Sequence, residues 1–459
     1  MRIRPGKPID PGLFGFPGGG DFSPVTAIST DSREIRPGDL FLALPGEKTD
    51  GASHIEEAFS HGAAAVISHR EKQDPRVLTV SDPLGFVTRA AARYADTIPH
   101  KTVAITGSYG KTTLRAALET VLSPVLHVRC TEGNGNTDLA VALTLFTLSP
   151  GDDLLIAELG MRGRGEIERL SKLVKPDLAI ITAIGSAHVG LLGSVDAIRE
   201  AKCEIALGLT ENGILLYPAG DVRLAARISE LPVRSAADSC DPERTAVYSI
   251  TNIEETKGQT LASFAGPYTN IRDVRLSASV APTLSAAAFC FAAAENLCVD
   301  LDSIREGLSK IRPPSLRRQI VTVNGVAFIL DCYNASPEPT AAALNDLQRY
   351  RGKRLFTVLG DMLELGDLSE SAHEAVGRLA GALKPERLYC VGEAAKRYAK
   401  GAMQSGFSPE RVVKLSVSEL DWLAAELKAQ TRPGDVVFIK GSRALALERI
   451  VEIIKQAVN

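Results

Sequence analysis

Short apolar runs alternate with amphipathic stretches along the whole chain. Between residues 25 and 98, DLFLAL (39–44), AAAVIS (63–68) and RVLTVS (76–81) alternate with helix-like segments such as HIEEAFSHGA (54–63), which predicts a small α/β unit. From residue 102 the apolar runs become continuous: TVAIT (102–106), DLLIAEL (153–159), LAIITAI (178–184) and GILLY (213–217). Strands apolar on both faces, separated by helices, predict a parallel sheet covered on both sides. The helical patterns SAAAFCFAAAENL (285–297) and SIREGLSKI (303–311) lead into RPPSLRR (312–318), where the Pro-Pro pair marks a boundary. Beyond it AFILDCY (327–333), RLFTVLGD (354–361), RLYCVGE (387–393) and DVVFIKGSR (435–443) each end in polar residues or glycine. The expected fold class is therefore α/β in three units, residues 1–98, 99–312 and 313–459. At ~150 residues per domain, 459 residues suit this division.

Composition narrows the chemistry. With 52 basic against 55 acidic residues and a formal charge of -3, the chain has no footprint for nucleic acid or an anionic membrane, so any polyanion must be held locally. Seven scattered cysteines without a C-x-x-C pair indicate neither a zinc site nor a disulfide framework. A reducing cytoplasm is expected. There is no 18-residue apolar run and no apolar stretch behind Arg2 and Arg4, and the Gly/Pro-rich first twenty residues read as a flexible lead-in.

TVAITGSYGKTTL (102–114) is an apolar strand running into a Gly-Lys-Thr loop and then a helical pattern. It departs from the usual G-x-x-x-x-G-K-[ST] signature in having Ile105 at the first glycine, yet the strand-loop-helix context is the one a phosphate site needs. Backbone N–H groups of Thr106, Gly107, Ser108, Gly110 and Thr113 and a helix N-terminus can cradle phosphates, Lys111 can reach their oxygens, and Thr112 can bind Mg²⁺. The next strand ends in Glu158, where a metal partner is expected or, equally, a solvated acid at a strand end. LAIITAI runs into GSAHVG, which puts His188 on the same edge as a ligand or a structural histidine. In SVDAIREAKCEIALGL (194–209), Lys202 lies at +7, +4 and -3 from Val195, Ile198 and Ile205, on the buried helix face. Either its ammonium snorkels to an edge, or a desolvated amine is kept there for chemistry.

Together these motifs resemble the Mur ligase family, ATP-dependent amide-bond formers of peptidoglycan synthesis, and within it the branch that adds D-alanyl-D-alanine to UDP-N-acetylmuramoyl-tripeptide. TGSYGKTT (106–113) is that family's form of the phosphate loop. The resemblance implies a three-domain Mur ligase architecture, with a central P-loop domain and a C-terminal Rossmann-like domain. It implies ATP as nucleotide, Glu158 and Thr112 on one Mg²⁺, His188 on a second, and a CO₂-derived carbamate on Lys202 as a further metal ligand or support. Ser32, Arg33 and the segment from Gly46 to Gly51 match UDP-contacting positions, and Arg317, Arg318 and Asp331 nucleotide-contacting ones. Asn134 and Asn136 match the loop that faces the muramoyl-peptide. DCYNASP (331–337) with Asn334 and Ser336, GDMLELG (360–366) with His373, and IKGSR (439–443) with Lys440, Ser442 and Arg443 match segments near the incoming dipeptide. The implied partners are a UDP-sugar-peptide and D-Ala-D-Ala or a related amine, bound by a monomer. Thr137, Ala140, Ala142 and Ser336 stand where Asn, Gly, Pro and Asn are usual, and the family's His-Asn is absent from SVAPTLSAAAF (279–289). Two other readings therefore stay open: a ligase for a different carboxylate and amine, and a nucleotide-binding protein without ligation.

Overall fold

The computed structural model describes residues 1–456 except 17–23, 47–48, 134, 242, 245, 257–258 and 277–280. Its strands form three sheets. In the first, Arg2–Ile3, Ile28–Ser29, Leu40–Ala43, Ala65–Ser68 and Val77–Thr79 lie in chain order, antiparallel in the first pair and parallel thereafter.

The nine-stranded second sheet is ordered Asn270–Leu276, Gln259–Ala265, Tyr248–Thr256, Arg234–Ser239, Ile214–Pro218, Leu178–Ile181, Lys101–Thr106, Leu154–Glu158, Val128–Cys130. It is parallel from the last of these back to Tyr248–Thr256, and the remaining strands add antiparallel hairpins. Its central strands are buried along nearly their whole length, as continuous apolar runs require when helices cover both faces. The hairpins escaped the sequence reading because in Tyr248–Thr256 the apolar positions are interrupted by polar residues, in place of the apolar continuity of its neighbours. The six-stranded third sheet runs Gln319–Val323, Val326–Asp331, Val436–Lys440, Leu355–Gly360, Arg387–Val391, Val412–Leu415, parallel apart from the opening hairpin.

The expected flexible lead-in is contradicted over the part the structure describes. Arg2 pairs with the fully buried Asp39 through bonds of 2.7 and 3.0 Å. Gly6 N–H donates to Phe146 O at 2.9 Å, and a Cβ at Gly6 would lie 2.1 Å from Leu148 O. Asp10 caps the 3₁₀ turn Pro11–Phe14 by accepting from Gly12 N–H, and the Phe14 ring lies 5.8 Å from that of Phe146, which also meets Tyr94 at 5.4 Å. Gly and Pro here serve close backbone approach and a tight turn, and the segment straps the first sheet to the second.

Candidate active site

The carboxyl ends of the second and third sheets face one cavity of about 1100 Å³, the edge at which open α/β sheets bind ligands. Strand Lys101–Thr106 enters the phosphate loop, and helix Lys111–Leu122 leaves it with Gly110 (φ 87°) as its N-cap. Ile105 is fully buried in the strand, so the turn begins two residues later, at Gly107. There φ is 148° and a Cβ would meet Thr182 Oγ1 at 2.0 Å, so this glycine is required both by backbone conformation and by space. Thr106 Oγ1 donates to Leu159 O at 3.0 Å, and Thr113 is buried beneath the loop.

Lys111 Nζ donates to Gly107 O at 2.7 Å. Burial drives its pKa down, with Glu158 opposing and Arg317 assisting. Thr112 Oγ1 donates to both oxygens of Glu158, at 3.0 and 3.2 Å, placing two hard oxygen ligands side by side at the end of strand Leu154–Glu158. That donor set suits Mg²⁺, which takes one or two side chains and completes its shell with phosphate and water.

Lys202 lies in the last turn of helix Val195–Cys203, whose N-cap Ser194 accepts from Ala197 N–H at 3.1 Å. It is 1 % exposed yet borders the cavity. Burial pushes its pKa well below the ordinary lysine value, and neighbouring Lys111 pushes the same way. At that exposure its ammonium does not reach out to the protein surface, as a snorkelling lysine would. His188 (φ 67°) precedes the short helix Val189–Leu192, and its Nδ1 lies 2.7 Å from the Glu364 carboxylate without an aligned hydrogen bond. Burial lowers the pKa of this ring against the pull of Glu364.

The third sheet supplies the opposite wall. The Arg317 guanidinium stacks 4.1 Å from the Tyr333 ring, with its pKa lowered by burial. Arg318 pairs with Asp346, lies 4.0 Å from Asp331 Oδ2, and also lines the cavity. Lys440 is buried and donates to Asp331 Oδ2 at 2.9 Å and Asn334 O at 3.1 Å, across neighbouring parallel strands. Ser336 is the buried N-cap residue of helix Pro337–Asp346. Ser442 donates to Asp361 O at 2.8 Å, and Arg443 pairs with Glu448 while still lining the cavity.

Several expected residues lie elsewhere. Ser32 donates to Glu57 at 2.6 Å, Arg33 grips Asp31, and Gly46 packs against Thr49 O, all in the first sheet's unit and away from the cavity. Asn136 lines the cavity; Asn134 lies outside the described residues. His373, expected near the dipeptide, is fully buried with both nitrogens used: Nδ1 faces Ser369 O at 2.6 Å and Nε2 accepts from Met362 N–H at 3.0 Å. Its place is structural, pinning the loop that presents Glu364. Glu364 and Tyr333 were not singled out from the sequence, because what distinguishes them is contact with residues far away in the chain.

A phosphate loop, a paired Thr-Glu oxygen site and a desolvated lysine around one cavity define a nucleotide-dependent enzyme in which two α/β units share the reaction space. The chain belongs to the Mur ligase family: residues 24–101 match the Mur ligase family catalytic domain, 105–280 the Mur ligase middle domain, and 316–443 the Mur ligase glutamate ligase domain. It is 33% identical to the UDP-N-acetylmuramoyl-tripeptide–D-alanyl-D-alanine ligase of Bacillus subtilis over 93% of each chain, and 30% identical to that of Escherichia coli over 94% of each. Among solved structures it resembles MurF of Acinetobacter baumannii, with a TM-score of 0.88 at 27% identity over 98% of this chain and 100% of the other. It also resembles MurF of Thermotoga maritima in complex with ADP, with a TM-score of 0.84 at 26% identity over 94% and 97%.

Proposed function

We propose that this chain is a MurF-type ligase, joining the terminal carboxylate of UDP-N-acetylmuramoyl-tripeptide to the amino group of D-alanyl-D-alanine at the expense of ATP. The observation that carries the reading is Lys202, a buried amine beside Lys111 and Glu158 whose pKa burial pushes well below the ordinary lysine value. A core lysine without a carboxylate bonded to it opposes folding, so a task is needed to account for it. A neutral amine is the form that reacts with CO₂; the resulting carbamate would replace a cation beside Lys111 with an anion, and with Glu158 and His188 would serve the Mg²⁺ ions. That use of Lys202, the two ions and their ligands are part of the proposal.

ATP supplies the phosphoryl group that converts the substrate carboxylate to an acyl phosphate, which the amine then displaces with release of phosphate. This chain's residues hold the reactants for those steps. Backbone N–H groups of 107 and 109–113 and Lys111 bind the phosphates and offset charge developing on the transferred oxygens. Arg317 and Asp331 take the nucleotide from the other wall, Asn136 the acyl substrate, and Asn334, Ser336, Lys440, Ser442 and Arg443 the amine. Ser32, Arg33 and Gly46 belong to the UDP end, away from the reacting groups. Burial of the site between two units keeps water from the acyl phosphate.

A second reading, a ligase for another carboxylate and amine, rests on Ser336 at the amine side and on the loop at the acyl side. Thr137 is the N-cap of helix Asp138–Phe146, accepting from Ala140 N–H, and Ala142 is buried in that helix, so the wall facing the acyl substrate differs from the family's usual Asn, Gly and Pro. Lys202→Ala tests the principal reading. Ligation should fall by about a hundredfold or more, ADP binding should persist, and formate or acetate should restore part of the activity. A variant of full activity would remove Lys202 from the mechanism.

A further inference from the structure

The loop after strand Leu178–Ile181 is gripped from two sides. On the phosphate-loop side, Ser108 Oγ accepts from Gly185 N–H at 3.0 Å and lies 3.2 Å from Gly185 O, Ser108 N–H donates to Ala183 O at 2.8 Å, and Thr182 Oγ1 donates to Tyr109 O. On the other side, Glu338, in the first turn of helix Pro337–Asp346, accepts from Ser186 N–H at 3.0 Å and Ser186 Oγ–H at 3.2 Å. A Cβ at Gly185 would lie 2.9 Å from the Glu338 carboxylate and 3.0 Å from the Tyr109 ring, so Gly185 is clamped between the phosphate loop and the third sheet's unit. Five residues on, Gly190 N–H donates to Glu364 O at 3.3 Å, and Gly190 crosses Gly366 where a Cβ would lie 2.9 Å from Gly366 N.

An acid in a first helical turn is ordinarily placed there by the helix dipole. That account leaves out the two bonds to a different unit of the molecule. Nor can Glu338 serve phosphate directly, since its charge repels an anion. We propose that Glu338 is a positioning residue that couples docking of the third sheet's unit to the shape of the phosphate loop. Docked, its carboxylate fixes Ser186; Gly185, held with it, then fixes Ser108. By reciprocity, nucleotide in the loop favours the docked arrangement and docking favours nucleotide. The inference rests on the nucleotide reading of the phosphate loop given above.

Calorimetric titration with Mg·ADP, alongside melting temperatures, tests it in the full chain with Glu338→Ala, Glu338→Gln, Ser186→Ala and the double variant Glu338→Ala/Ser186→Ala. Loss of two charge-assisted bonds should weaken ADP binding by about tenfold or more in Glu338→Ala. Glu338→Gln, which keeps an acceptor, should lose less. The double variant should match Glu338→Ala to within about twofold, since both changes break one link. ADP affinity of Glu338→Ala within about twofold of wild type, or independent multiplying effects in the double variant, would overturn the coupling. A drop in melting temperature with affinity unchanged would overturn it equally, by reducing Glu338 to a helix-end residue. Wild-type protein that fails to bind ADP would instead overturn the nucleotide reading itself.

Discussion

At the scale of single residues, the site depends on positions where one atom decides the outcome. Gly107→Ala puts a methyl into Thr182 Oγ1 at a backbone angle that side chains disfavour, so ADP binding measured by calorimetry should be lost while the fold persists. Lys111→Ala should weaken nucleotide binding as well as turnover; unchanged affinity for ATP would remove the loop from the account. His373 sets a pH dependence. Burial lowers its pKa from 6.5, and its neutral form accepts from Met362 N–H through Nε2, so protonation removes that bond. The unfolded chain then binds the extra proton at a higher pH than the folded one. Stability from this group is complete above pH 6.5 and is lost as pH falls through the lowered folded value. Urea midpoints measured across acidic pH should fall less steeply in His373→Gln than in wild type.

At the scale of elements, the regular pieces were legible because their signals are local. Continuous apolar strands, a strand-loop-helix phosphate site and the 3.6-residue spacing that puts Lys202 on a buried face can all be read within about ten residues. What was not legible depends on partners distant in sequence. Gly6 approaches Leu148, Glu338 approaches Ser186 and Glu364 approaches His188, and no periodicity records such pairs. The N-terminal strap shows the cost of reading composition alone: glycine and proline suggested flexibility, whereas the chain uses them for contact. Asp39 is the strap's anchor, accepting from Arg2, from Thr26 Oγ1 at 3.1 Å and from Arg36 N–H at 2.9 Å. Asp39→Ala leaves those donors without their acceptor and should destabilise the protein by about 2–4 kcal/mol, read from the shift of the urea transition. Arg33→Ala, which removes an exposed partner of Asp31, should leave the transition nearly unmoved.

At the scale of the whole molecule, three sheets divide the reaction. The second holds the phosphate loop, the Thr112–Glu158 oxygen pair and Lys202; the third supplies Arg317, Asp331 and Lys440 and touches the second through Ser186 and Gly190. Ser32, Arg33 and Gly46 of the first lie away from that cavity. A charge of -3 over 459 residues conceals this arrangement, because the cations that would meet a polyanion are collected inside one cavity. The most direct test of the account is phosphate release by the purified protein with ATP, Mg²⁺ and UDP-N-acetylmuramoyl-tripeptide, with and without D-alanyl-D-alanine, followed by the mass of the product. The account predicts release that depends on the dipeptide and a product heavier by the dipeptide less one water. Protein that binds ADP but releases no phosphate with these substrates would contradict it, and would pass the assignment to a ligase of another carboxylate and amine.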